Sequence, residues 1–190
     1  SDDDQMCAYC KADLVDALPA PKAAIVEDEP EETTVDQKAK EELALRFLTR
    51  KRILPFVERV NPDYTAGWVH KDICKRLEQF SYDVVDKKSP RLMLFMPPRH
   101  GKSTLASVAF PAWHLGRNPG HEFIGCSYSG SLAMGFSRKV RQLLREPSYK
   151  TAFPTRLDPD SQSAEAWLTT GGGGYVSAGV GGGITGKGAH

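Results

Sequence analysis

The chain has 190 residues, 40% of them apolar and 26% charged, enough for one ordinary α/β domain or slightly more. No run is long and apolar enough to cross a membrane as a helix, and no signal peptide is visible in these residues. The net charge of +1 is uneven: residues 1–35 hold ten acidic and two basic side chains, about −8, leaving about +9 on the remainder. A basic folded part suits phosphate ligands or nucleic acid, and equally an ordinary solvated surface.

In chain order, residues 1–35 are polar, acidic and interrupted by Pro19, Pro21 and Pro30, and are expected to form a disordered tail. Within it, Cys7 and Cys10 have half the spacing of a zinc site, with no second Cys or His pair nearby. Residues 36–90 are expected to form a helical region. Its first helix covers 36–48, with Leu43, Phe47 and Leu48 on one side. A basic knot follows at 49–52, and Pro55 opens a short second helix. After a turn at 61–64, Val69, Ile73, Leu77 and Phe80 recur at helical spacing and predict an amphipathic helix over 68–82.

Residues 91–190 read as the core of the domain. Residues 92–96 are continuously apolar, as in a strand buried on both faces. A helix is predicted over 103–115, using Leu105, Val108, Ala109, Ala112 and Leu115 as its buried side. Residues 116–120 stop it. A second strand follows at 122–127 and a second helix at 131–145. That helix is apolar at Leu132, Phe136, Val140 and Leu143 and basic at Arg138, Lys139, Arg141 and Arg145, and Pro147 ends it. Residues 167–170 and 175–178 flank a glycine run and predict a hairpin. Cys74 and Cys126 read as small core residues of a reducing compartment. Residues 181–190 are glycine-dense, which permits positive φ and close approach to a ligand, or marks a flexible linker.

The informative junction lies between the first strand and its helix. An apolar run empties into Pro97-Pro98-Arg99-His100-Gly101, and Lys102-Ser103-Thr104 open the helical pattern. This layout is that of a phosphate-binding loop. Backbone N–H groups cradle phosphates, a lysine neutralises the outer ones and a hydroxyl holds Mg²⁺. The usual pattern is G-x-x-x-x-G-K-[ST], and Met96 stands where its first glycine would be. Pro97 and Pro98 stiffen the loop and remove two donors, so cradling must come from His100 onward. The implied ligand is a nucleoside triphosphate with Mg²⁺, and the implied fold is α/β: a P-loop NTPase with a doubly wound parallel sheet and an N-terminal helical extension. A P-loop hydrolase also needs an acid at the end of another apolar strand. After Lys102 no apolar run ends in two acids, so the residues resemble the front portion of a longer protein, truncated before that strand.

Residues 95–103 resemble the Walker A segment of large terminase subunits from tailed double-stranded DNA bacteriophages. So do Cys126-Ser127-Tyr128-Ser129 with residues 136–141, the stretch 181–189, and upstream Gly67-Trp68-Val69-His70 with residues 73–78. The resemblance runs from about residue 41 to 190 and spans several ordered motifs. It implies the ATPase part of a viral genome-packaging motor, which translocates double-stranded DNA into a procapsid. The parent protein would also bear a C-terminal endonuclease that is not represented here. The implied partners are double-stranded DNA, portal protein and procapsid, and a small terminase subunit. A homo-oligomeric ring, pentameric by resemblance, would work in the host cytoplasm at the portal vertex.

The resemblance also assigns roles. Lys102 would contact the β and γ phosphates, and Ser103 would ligate Mg²⁺. His100, Gly101 and Thr104 would present N–H groups, with Pro98 and Arg99 completing the loop and Arg99 sensing the γ phosphate. Trp68 and His70 would form an adenine-side element, for which plain helix packing is the alternative. Lys187 stands where relatives carry an arginine facing the neighbouring subunit, and lysine keeps the charge but not the planar fork. Two other readings stay open: another P-loop translocase, helicase or kinase, and an inactive nucleotide-binding or assembly fragment. In the terminase reading, residues 1–190 alone are expected to hydrolyse ATP poorly.

Overall fold

The computed structural model describes residues 31–184 and 186–190. The acidic stretch before residue 31, with Cys7 and Cys10, lies outside the described residues, and so does Thr185.

Helix α1 (Glu31–Lys51) begins within the stretch expected to be tail. Leu43, Phe47 and Leu48 do not form its buried side; all three are exposed. The helix docks instead through its last turn and through an ion pair. Thr49 is fully buried, and its carbonyl accepts a hydrogen bond from Trp113 Nε1 at 3.1 Å. Glu42 pairs with Arg59 at 2.6 Å. Arg59 also donates to Ser148 O at 3.1 Å and Thr151 Oγ1 at 2.9 Å, tying three helices together. The hydrogen bonds from Arg59 and then Arg46 hold the Glu42 carboxyl down at about 2.

Helix α2 (Ile53–Val60) buries Ile53, Phe56 and Val57. Its N-terminus is capped from outside. Glu78, on helix α3 (Trp68–Val85), accepts from Ile53 N–H and from Arg52 Nε, each at 2.8 Å. That pairing is what permits a carboxylate to be buried there. The α3 stripe runs through Ile73, Cys74, Leu77 and Ser81, close to the predicted phase.

The helix predicted over 103–115 is two pieces. A π-helical segment (Thr104–Ala109) leads into α4 (Phe110–Arg117). The Phe110 N–H reaches Leu105 O, five residues back, and Pro111, which has no N–H to give, follows. Residues 110–116 are all buried, so α4 is the central helix around which the others pack.

Strands β1 (Glu122–Ser127), β2 (Leu157–Gln162), β3 (Ala166–Thr169) and β4 (Gly174–Gly179) form one sheet in the order β1-β4-β3-β2. The α/β class holds, but the sheet is mixed. Only β1 and β4 run parallel, in register from Glu122 opposite Gly174 to Ser127 opposite Gly179. β3 is antiparallel to both β4 and β2 because the links between them are too short for a crossover. Among the described elements the parallel sheet expected from the sequence is thus reduced to one strand pair.

Helix α5 (Gly130–Arg145) packs across β1 and β4, and α6 (Pro147–Ala152) starts at the proline expected only to end its predecessor. The buried stripe of α5 is Ala133, Ser137, Val140 and Leu144; of the predicted side Val140 is buried, Phe136 and Leu143 pack against the core and Leu132 is exposed. Ser137 is buried because Trp167 Nε1 donates to its hydroxyl at 3.0 Å. Phe123, Tyr175 and Trp167 stack beneath α5 with ring centroids 5.4 and 5.5 Å apart. The opposite sheet face is open: Cys126 and Leu168 are exposed, so Cys126 is not the core residue the sequence suggested. Among the described residues, no helix is long and apolar enough to cross a membrane.

Candidate functional site

Residues 91–96 approach the loop as extended backbone without strand pairing. Leu92, Leu94 and Met96 pack against the core, while Met93 and Phe95 are 81% and 88% exposed. The expectation of a strand buried on both faces is therefore corrected. A pleated segment alternates its side chains, and only one side has a neighbour among the described residues.

At Pro97 and Pro98 the chain turns. Arg99 adopts φ 63° and Gly101 φ 79°, so two residues within three are left-handed. Such alternation curls backbone N–H groups toward one side and makes an anion-binding concavity. The His100 ring folds back on the loop, with Nδ1 2.8 Å from Pro98 O. A carbonyl only accepts, so Nδ1 bears the proton.

The first helical bond runs from Leu105 N–H to Gly101 O at 3.0 Å. The N–H groups of Lys102, Ser103 and Thr104 therefore precede the helical ladder and sit at the positive end of the helix. Lys102 is half-buried, and Ser103 and Thr104 are exposed. An open cavity of about 600 Å³ is lined by residues 96–104 alone, from Met96 to Thr104. It thus brings together Pro98, Arg99, His100, Gly101, Lys102, Ser103 and Thr104. No carboxylate lines it. The donor set fits a polyphosphate: cations at Lys102 and Arg99, free amides, and the Ser103 hydroxyl as an oxygen ligand for Mg²⁺. That ion takes most of its remaining ligands from phosphate and water.

The adenine-side pair separates. Trp68 is 81% exposed and lies outside the loop cavity. His70 touches the loop: its Nε2 is 3.1 Å from His100 O, and its Nδ1 is 3.1 Å from the Gly67 N–H at the start of α3. The resemblance implied an adenine-side role for His70, with helix packing as the alternative, and gave no sign of this bond. Lys187 lies in a different cavity, of about 470 Å³, among Glu122, Trp167, Leu168 and Tyr175. The two cavities share no lining residue.

Three histidines form a second cluster. His114 on α4 is buried, with Nδ1 2.8 Å from Ser81 Oγ and Nε2 3.1 Å from His121 Nδ1. His121 stacks on His190 at 4.3 Å. Burial, then the neighbouring His121, Arg117 and His190, pushes the His114 imidazolium down to about 4. Among the described residues, no group of three or more His, Cys, Asp or Glu side chains is arranged to hold a metal ion. Comparison with protein-family models, with curated proteins and with solved structures gave no match.

Proposed function

We propose that the chain holds the nucleotide of an ATP-driven DNA-packaging motor, as the ATPase part of a large terminase subunit. The observation that supports this best is one coincidence in space. A proline-stiffened loop with left-handed Arg99 and Gly101 meets a lysine and a hydroxyl in the opening helical turn, around a concavity that this loop alone lines. In this reading Lys102 neutralises the β and γ phosphates, Ser103 holds Mg²⁺, and the amides from Gly101 to Thr104 cradle the phosphate oxygens. Arg99, also among the lining residues, would contact the γ phosphate. Lys187, which lines a different cavity, acts in this reading on the nucleotide of a neighbouring copy in a ring. Double-stranded DNA, the portal vertex of a procapsid and a small terminase subunit are the partners, in the host cytoplasm.

Bound Mg·ATP supplies the reactive phosphoryl group. The described residues supply binding and charge neutralisation. A carboxylate that orients water is not among the cavity's lining residues, which is why low turnover is expected of residues 1–190 alone. The same observation favours a second reading, a nucleotide-binding fragment without catalysis. Turnover of ATP by the full-length protein, with and without DNA, separates the two. A motor hydrolyses ATP, responds to DNA, and loses turnover on Lys102→Ala with an unchanged circular dichroism spectrum. Near-normal turnover by that variant contradicts the assignment of the loop.

A further inference from the structure

We propose that His70 is a positioning residue that sets the direction of the phosphate-facing amide at Gly101, rather than a nucleotide contact. The inference rests on the phosphate-binding reading above and concerns how that loop is held.

The chemistry of the two hydrogen bonds fixes the imidazole. The Gly67 N–H can only donate, so His70 Nδ1, 3.1 Å away, is an unprotonated acceptor. The His100 carbonyl can only accept, so His70 Nε2, 3.1 Å away, holds the proton and donates it. One neutral tautomer satisfies both partners. The Gly67 bond is half of a capping box at the start of α3, and it anchors the ring to a helix whose next turns pack in the core. Tyr64 meets the ring edge-on, with centroids 5.9 Å apart. The histidine is thus fixed on the side of α3 and reaches across to the loop.

The consequence follows from peptide geometry. The His100 carbonyl and the Gly101 N–H belong to one planar trans peptide and point in opposite directions. When His70 holds the carbonyl on its own side, the Gly101 N–H is turned to the other side, away from His70. Gly101 is itself among the residues that line the cavity, and its amide is taken here as one that faces the anion. Gly101 at φ 79° has no side chain to resist rotation of that peptide. Without the tether, the carbonyl is free to swing toward the anion, where it repels phosphate instead of cradling it. Positional order in the loop then depends on a residue about 30 positions upstream.

The test uses the 190-residue chain, with Mg·ATP and inorganic pyrophosphate as probes in calorimetric titrations. Two conservative variants split the roles. His70→Asn places an acceptor near Nδ1 and keeps the Gly67 cap, but it is too short for the loop. His70→Gln reaches toward the Nε2 position and can donate to His100 O. The expected result is a loss of about tenfold in affinity for both probes with His70→Asn, a hydrogen bond's worth. His70→Gln is expected to stay within about threefold of the parent. Nitrogen NMR of the parent ring should show a protonated Nε2 and a pyridine-like Nδ1. Equal affinities of the parent and His70→Asn, or the opposite tautomer, overturn the inference while leaving the loop assignment intact. A parent chain that binds neither probe removes the loop assignment and this inference with it.

Discussion

Acidification offers a quantitative test of the packing around α4. His114 is buried against Ser81 and His121, and its imidazolium is pushed from an ordinary 6.5 to about 4, first by burial and then by His121, Arg117 and His190. In the unfolded chain the same ring takes a proton near 6.5. Between these values the unfolded state binds more protons than the folded one, so stability rises with pH across the window. The contribution is complete above pH 6.5, falls as pH drops toward 4, and levels off below it. At 1.36 kcal/mol per pKa unit, the full swing is about 3 kcal/mol. Urea unfolding of the parent and His114→Gln, at pH 7 and pH 4, isolates the term, because the variant keeps a polar side chain that does not titrate. The parent is expected to lose about 3 kcal/mol more than the variant over that interval. His121, in contact with His114, is also shifted down by burial and by His190 and steepens the pH dependence of both chains. Parallel pH dependences, or an NMR titration of His114 near 6.5, would refute the account of a buried neutral imidazole.

Three further outcomes follow from named contacts. In Gly125→Ala the new methyl would lie 1.8 Å from the Tyr175 hydroxyl, and Tyr175 is held between Phe123 and Trp167. A cost of about 2 kcal/mol is expected, seen as a Tm several degrees lower. Adding Tyr175→Phe should recover part of that loss, because the hydroxyl is the nearest atom. Glu42→Gln breaks the link from α1 to Arg59. With the carboxylate side chain 37% exposed, screening leaves about 1 kcal/mol, present above pH 4.5 and fading as pH falls to about 2. In the full-length protein, Lys187→Ala and Lys102→Ala should each abolish turnover alone and regain some ATPase when mixed. No recovery in verified mixed oligomers counts against action between subunits.

The sequence revealed most where local pattern and tertiary environment agree. β1 fell at the predicted residues 122–127, and the hairpin of β3 and β4 formed around its glycine turn. These segments need only alternation and a tight turn. Residues 92–96 failed because a ladder belongs to two strands, and one strand's apolar character cannot supply the other. β2 was missed since Asp158, Pro159, Asp160 and Ser161 show no apolar alternation; β3 alone recruits them. Helix phase failed in α1 and was off by about one position in α5, where Val140 is buried and Phe136 and Leu143 pack against the core. α1 is docked by polar contacts at Thr49 and Glu42, and the buried stripe of α5 includes Ser137 beside Ala133, Val140 and Leu144, features that a hydrophobic stripe does not register. At the site, the Lys102 loop was legible as a motif. The His70 bond to His100 O joins a side chain to a backbone carbonyl 30 residues away, and no side-chain pattern encodes a carbonyl.

Nucleotide binding at the Lys102 loop is the central claim, and calorimetric titration of Mg·ATP into residues 1–190 beside Lys102→Ala tests it most directly. Saturable binding near one nucleotide per chain, displaced by pyrophosphate and lost in Lys102→Ala at unchanged Tm, is the expected result. Absence of binding by the parent, or binding that survives Lys102→Ala undiminished, would contradict it.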